Sequence, residues 1–240
     1  MFLLLLPGIG FLFIILLAIL PAALLMHYVY RQDKIEKEPP ALLRKLILMG
    51  VLAAFLSMLL ESIGERLLSL APIDPDSPLY MILTAFLVVA VVEEGAKYFL
   101  MHRCVWKHPA FDYRFDAIIY AVFTSLGFAA MENVMYVLGF GLSVVLARAL
   151  LSIPAHMSFS VVFGVFYGRA RKYANRGQMA QSRMSIFTGF LLAVFFHGFY
   201  DSCAMIGSTL SMILFALFMI VIYATVFFVV KSESRTDSPV

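Results

Sequence analysis

Apolar residues run through seven stretches of this chain, at about 2–30, 42–62, 79–101, 116–138, 142–168, 184–206 and 209–230, separated by short polar or turn-forming segments. Each stretch reaches the ~20 residues a helix needs to cross ~30 Å of hydrocarbon. Lipid offers no partner to backbone N–H and C=O groups, so runs of this length span as helices. The pattern predicts an all-α, polytopic bundle of about seven transmembrane helices. The first run lacks a basic leading region and is about twice the length of a signal-peptide core, so it reads as a retained helix. Pro154 falls near the middle of the fifth run. Either half of that run would be only about twelve residues, too short to span, so a single kinked helix is expected. Gly164 and Gly168 form a small-x-x-x-small pair on it that lets a neighbouring helix come close.

The segments between these runs alternate in charge. Arg31, Lys34, Lys37, Arg44 and Lys45 follow the first run, Arg103, Lys107 and Arg114 the third, and Arg169, Arg171, Lys172, Arg176 and Arg183 the fifth. Glu61, Glu65, Asp74 and Asp76 surround a single Arg66 after the second. The basic segments should lie in the cytoplasm, which puts the N-terminus outside and the C-terminus inside. A chain that is 62% hydrophobic, with mean hydropathy +0.94, has too few charges to cover a water-soluble globule. Residues 1–240 read as a single membrane-embedded domain with a motif-bearing core at about 80–205 and a polar tail at 231–240. The net charge of +3 sits in short clusters beside the apolar runs, which argues against a nucleic-acid partner. Cys104 and Cys203 are expected at opposite membrane faces, out of disulfide reach of each other.

Against this apolar background stand residues that lipid rejects. Glu93, Glu94 and Lys97 interrupt the third run, Glu132 and Asn133 the fourth, His156 the fifth, and His197 and Asp201 the sixth. Each charge near the bilayer centre costs ~2.5–3.5 kcal/mol unless partnered. At 1.5 Å per residue, Glu93 lies roughly 15 Å from Arg103, His156 roughly 20 Å from Arg169, His197 roughly 21 Å from Arg183, and Glu132 roughly 24 Å from Asp116. These levels overlap in the middle and outer half of the membrane, so the groups are expected to converge on one pocket. Glu93 and Lys97, Phe128 and Glu132, and His197 and Asp201 are spaced i,i+4, each pair on one helix side. An Asp one turn beyond a His can accept its ring N–H and leave the other nitrogen free to act. Phe128 reads as packing beside the site, Glu61 and Glu65 as solvated near the outer interface, and His102 and His108 as solvated loop residues.

Glu-Glu-Gly-Ala-Lys at 93–97, Phe-x-x-x-Glu-Asn at 128–133, the Pro154 to His156 step with Gly164 eight residues later, and His-x-x-x-Asp at 197–201 together resemble the PrsW family of intramembrane proteases. The motifs occur in family order on successive helices and cover roughly residues 80–205. The wider group of CAAX-processing and bacteriocin-immunity membrane proteases is similar in pattern but carries a His where Glu132 stands and an Asn where Asp201 stands. The resemblance implies a multi-pass protein of the bacterial inner membrane that cleaves a membrane-anchored protein. For the founding member that substrate is an anti-sigma factor, cut near its extracytoplasmic side as the first step of a stress-signalling cascade.

Peptide hydrolysis needs a water, a base and donors for the oxyanion. Glu93 and Glu94 differ by ~100° around the helix axis, so one of them faces the pocket. Glu93 is expected as the base, anchored by Lys97, with the choice against Glu94 close to even. His156 and His197 would hold water or the oxyanion, Asp201 would orient His197, and Glu132 with Asn133 would bind water or the substrate backbone. Lys97 and Phe128 complete the expected substrate contacts. No cofactor is required by this scheme. A zinc version uses His156 and His197 with Glu93 or Glu132 as ligands, although the H-E-x-x-H helix is absent. The alternative function is a proton-coupled or metal-ion transporter using the same Glu/His cluster. Against it, no repeated half or paired broken helices can be found. Mere helix glue would not need so many carboxylates.

Overall fold

The computed structural model describes residues 7–240, with side chains from Leu12 onward. The helices are α1 (Pro7–Gln32), α2 (Pro40–Leu68), α3 (Pro78–Val105), α4 (Asp116–Phe140), a short α5 (Val145–Leu150), α6 (Ser152–Asn175), α7 (Met179–Ile206) and α8 (Thr209–Arg235). Among the described residues seven segments are long and apolar enough to cross a membrane, α5 and α6 counting together as Leu142–Asn175. The expected bundle of seven spans is therefore present. Residues 2–6 of the first apolar run lie outside the described residues. No strand forms among the described residues; Tyr113 and Pro239 make one isolated bridge. Local chemistry sets the helix ends. Pro40 and Pro78 open α2 and α3 where a missing N–H costs nothing, the Ser77 and Ser208 hydroxyls cap α3 and α8, and Gly207 ends α7 at φ 60°.

Helix α4 is the central pillar. Its apolar window is 78% buried, against 28% for α2 and for α8. Glycine lets its neighbours reach its backbone. A methyl on Gly127 would stand 2.5 Å from the Ile47 carbonyl oxygen of α2, and one on Gly50 would overlap the Thr124 carbonyl of α4. On the other side, methyls on Gly164 and Gly168 would lie 2.7 Å from Ile118 Cα and 2.6 Å from the Arg114 carbonyl oxygen. The expected close approach at Gly164 and Gly168 is thus to α4, and Gly50 with Gly127 makes a second one. Large apolar side chains such as Leu59, Ile220 and Phe228 face outward, as lipid requires.

The fifth span crosses once, as expected, with its bend at Leu151 (φ −113°, ψ −64°), three residues before Pro154, where α5 gives way to α6; Leu151 N–H still donates to the Ala147 carbonyl at 2.9 Å and Ala155 N–H to the Leu151 carbonyl at 3.1 Å. Proline has no N–H for the carbonyl four residues back, which is that of Leu150. Tyr223 Oη of α8 lies 3.0 Å from the Leu150 oxygen and 2.8 Å from the Leu151 oxygen, so its hydroxyl hydrogen supplies what the proline cannot. Helix α3 also carries a π-helical segment, Thr84–Ala90, immediately before its acidic pair. Such a bulge resets which residues face the bundle.

One end of the bundle is stitched by polar contacts. Helix α8 continues to Arg235, beyond the expected start of the polar tail, and the remaining residues dock on the 112–116 turn. Val240 N–H donates to the Asp112 carbonyl at 2.9 Å, Phe115 N–H donates to Asp237 at 3.0 Å, and Arg114 pairs with Glu233 at 2.6 Å. Glu38, itself buried in an otherwise mostly exposed α1–α2 connection, has its pKa pushed up to about 7 by that burial. Its Oε2 lies 2.7 Å from the Tyr120 hydroxyl, which is also 2.9 Å from the Ala110 carbonyl. The Tyr120 hydroxyl donates toward both oxygens and ties the α1–α2 connection to α4 and the 110–116 turn. His102, expected in a solvated loop, instead lies within α3, 2.9 Å from the Tyr167 hydroxyl and stacked on Trp106.

Candidate functional site

Helices α3, α4, α6 and α7 bring Glu93, Glu94, Lys97, Glu132, His156, His197 and Asp201 into one connected network of contacts. Below the π-helical segment, Glu93 and Glu94 both turn inward and are buried. Lys97, one turn on, bonds both, at 3.0 Å to Glu93 Oε2 and 2.8 Å to Glu94 Oε1. Glu94 also takes His197 Nδ1 at 2.9 Å. On the other edge of that ring, Nε2 is 3.2 Å from Asp201 Oδ2 and 3.8 Å from Glu93 Oε2. Both His197 nitrogens therefore face carboxylates, and both contacts are satisfied together only when each nitrogen carries hydrogen. The expectation that Asp201 contacts His197 is met in geometry, but the second nitrogen is held by Glu94 and not left free.

His156 is held in the same way. Its Nε2 is 3.0 Å from Glu132 Oε2 and its Nδ1 is 3.3 Å from Lys97 Nζ. An ammonium only donates, so Nδ1 accepts and Nε2 carries the hydrogen. Ser125 of α4 fixes the local backbone by donating to the His156 carbonyl at 3.0 Å. The two imidazoles stand edge to face with centroids 5.2 Å apart, and Phe159 stacks on His197.

These groups line a cavity of about 530 Å³. Glu93, Glu132, His156, His197 and Asp201 are on its wall, with Phe128, Phe159 and Tyr200 supplying apolar surface. Glu94 and Lys97 lie behind the wall, beside a separate small cavity. Asn133 is fully buried and points elsewhere: its Nδ2 donates to the Ala18 carbonyl at 2.6 Å and its Oδ1 accepts from Arg148 Nε at 3.0 Å.

Sequence reasoning passed over two cavity residues. Arg148 of α5 contacts Glu132 Oε2 at 2.8 Å through Nη2 and stacks 3.8 Å above the Tyr136 ring. As an isolated cation within an apolar run it carried the same signal as the other buried charges. Glu61 lines the cavity on the stripe Ala54, Ser57, Met58, Glu61 and Glu65, and its Oε1 is buried without a partner. It is a wall residue, not the freely solvated carboxylate expected. Its signal was this i,i+3/i+4 stripe of small and acidic residues on α2.

Glu93, Glu94, His156 and His197 each offer one donor atom, all within 4.8 Å of one another and all buried. Two imidazoles with carboxylates are a donor set suited to zinc, so the residue types fit a metal. Glu132, the other carboxylate considered as a ligand, is taken up by His156 and Arg148 and stands outside this group.

The sequence pattern of a family described as "PrsW family intramembrane metalloprotease" matches residues 38–230. "Protease PrsW" of Geobacillus kaustophilus (strain HTA426) is 34% identical over 183 residues, 75% of this chain and 75% of the relative. "Protease PrsW" of Clostridioides difficile (strain 630) is 32% identical over 212 residues, 87% of this chain and 86% of the relative. The Bacillus subtilis (strain 168) protein of that name is 30% identical over 188 residues, 78% and 81% of the two chains. No solved structure matches the chain. With its seven apolar spans and these relatives, the chain is a multi-pass bacterial membrane protein, and it belongs to the PrsW protease family.

Proposed function

We propose that the protein is an intramembrane endopeptidase that cuts a membrane-anchored regulatory protein of anti-sigma-factor type, using a water activated by Glu93. The observation that carries this reading is the placement of Glu93 on the wall of a roomy cavity, beside two imidazoles and with Lys97 behind it. Glu93 takes a proton from a cavity water, the resulting hydroxide adds to the scissile carbonyl, and the same proton passes to the departing amide nitrogen as the C–N bond breaks. Lys97 holds Glu93 in place and balances its charge. His156 and His197 stand on the wall, and their Nε2–H groups orient water and the developing oxyanion when they turn from Glu132 and Asp201 toward the cavity. Glu94 and Asp201 fix His197 from its two sides, and Arg148 with Glu132 fixes His156. A zinc ion held by Glu94, His156 and His197 would leave a position open and Glu93 free as the base, and would add Lewis acidity toward the carbonyl. Charge alternation puts the 69–77 segment outside, so the cut falls in the outer half of the membrane.

The test is reconstitution of the full chain in proteoliposomes with a bacterial membrane-protein extract, followed by mass spectrometry of newly formed N-termini. Wild type should generate a discrete set that E93Q loses and E94Q diminishes, with helicity unchanged in both. Full activity in E93Q would end the assignment.

A further inference from the structure

Lys97 is placed where a cation is wanted. Its Nζ is 2.8 Å from Glu94 Oε1, 3.0 Å from Glu93 Oε2 and 3.3 Å from His156 Nδ1, and sits 4.0 Å over the Phe128 ring centroid. Glu93, Glu94 and His156 are three of the four residues whose donors are grouped closely enough for a metal. A tetrahedral ion with bonds of ~2.0–2.2 Å needs its donors about 3.4 Å apart. Here they spread up to 4.8 Å, a separation suited to the longer N–H···O contacts of an ammonium. The Nδ1 lone pair of His156 can face only one cation at a time. Two positive centres drawing on the same carboxylates in a buried site also repel strongly.

A second feature gives this ammonium somewhere else to go. Beside Lys97, on the side away from the main cavity, lies a void of about 20 Å³ lined by Thr124, Ser125 and Ser160. Thr124 is 1% exposed and its Oγ1 has no hydrogen-bond partner. The void holds roughly one water-sized group and offers an oxygen acceptor that nothing else uses. Lys97 and Thr124 both line it, so it is the space beside the ammonium into which Nζ can withdraw.

We propose that Lys97 is a built-in competitor for metal: its ammonium fills the cation seat among Glu93, Glu94 and His156, and a divalent ion binds there only when the ammonium withdraws toward Thr124. The cluster is the one proposed above for hydrolysis, but ion occupancy is measured without substrate, so the two readings fail separately. The result holds whichever cation the working enzyme carries.

Zinc affinity of the purified full chain in detergent, measured by competition with a chromogenic chelator, is the test. K97M should bind zinc at least tenfold more tightly than wild type, at one ion per chain. H197A in the K97M background should abolish the gain. T124V, which keeps Lys97 and the local volume but removes the second acceptor, should bind zinc severalfold more weakly than wild type. Because K97M removes the ammonium from two buried carboxylates and leaves only Glu94 with a close partner, His197, E94Q/K97M is the second variant and must also bind more tightly than E94Q alone. Equal or weaker zinc binding in both Lys97 variants relative to their parents would overturn the proposal, as would unchanged affinity in T124V.

Discussion

Replacing Arg148 with Met removes three contacts to α4: the 2.8 Å ion pair to Glu132, the 3.0 Å hydrogen bond to Asn133 and the stack on Tyr136. Breaking a fully buried ion pair costs about 3–5 kcal/mol. Here the side chains retain 13% and 16% exposure and Glu132 keeps His156 at 3.0 Å, so the ion-pair loss falls nearer ~2 kcal/mol. The hydrogen bond and the stack add roughly 1 kcal/mol between them. A total of about 3 kcal/mol lowers the melting temperature by roughly 9 °C for a chain of this size. The assay is thermal unfolding in detergent for R148M, E132Q and the double variant. The account predicts a coupling of about 2 kcal/mol, since neither single variant has a partner left to lose. Arg148→Lys should fall between wild type and R148M, keeping the charge while losing the fork and the stack. Additivity within about 0.5 kcal/mol would show that Arg148 does not hold Glu132 and would refute this part of the site.

Other expectations follow from single contacts. Tyr223→Phe should cost about 1–2 kcal/mol in thermal unfolding, because the Leu150 carbonyl loses its donor while that of Leu151 keeps Ala155 N–H; adding Pro154→Ala should recover part of it by restoring an N–H to Leu150. Gly127→Ala should destabilise by about 2–3 kcal/mol, since its methyl meets the Ile47 carbonyl and backbone cannot yield. Gly95→Ala, where no atom lies within 4 Å, should instead be neutral or mildly stabilising by the same assay. The pKa of Glu38 is raised to about 7, so its contribution to stability is complete below the ordinary carboxylate pKa of about 4.5 and is lost as pH rises through about 7. Wild-type melting temperature should therefore fall between about pH 5 and pH 8, and Glu38→Gln should flatten that slope.

The spans and the level of the polar groups were legible because lipid imposes a simple rule. An apolar run of sufficient length must be a helix, and a charge within it must find a partner. That rule located Glu93, Glu132, His156 and His197 on separate helices at overlapping depths, and the coordinates join them around one cavity. What escaped depends on rotation about each helix axis, which run length does not encode. A π-helical turn at Thr84–Ala90 precedes the pair and shifts the helical phase; Glu93 faces the cavity and Glu94 lies behind it, and nothing in Thr-Ala-Phe-Leu-Val-Val-Ala announces the turn. Asn133, next to Glu132, points ~100° away and joins Ala18 and Arg148 instead of the chamber. Pro154 was visible as a disturbance, but the donor that makes its kink tolerable is Tyr223, which stands on a helix about 70 positions away and was out of reach of the local sequence.

All of this depends on a chamber that water enters while lipid stays out. Met58 and Leu59 are adjacent on α2 and similarly exposed, 50% and 60%, but only Met58 lines the chamber. In a background with Cys104 and Cys203 replaced, single cysteines at these positions can be challenged in proteoliposomes with a membrane-impermeant cationic methanethiosulfonate, which reacts with hydrated thiolates. The account predicts rapid modification of M58C and none of L59C over the same time; equal reactivity, or an inert M58C, would contradict it.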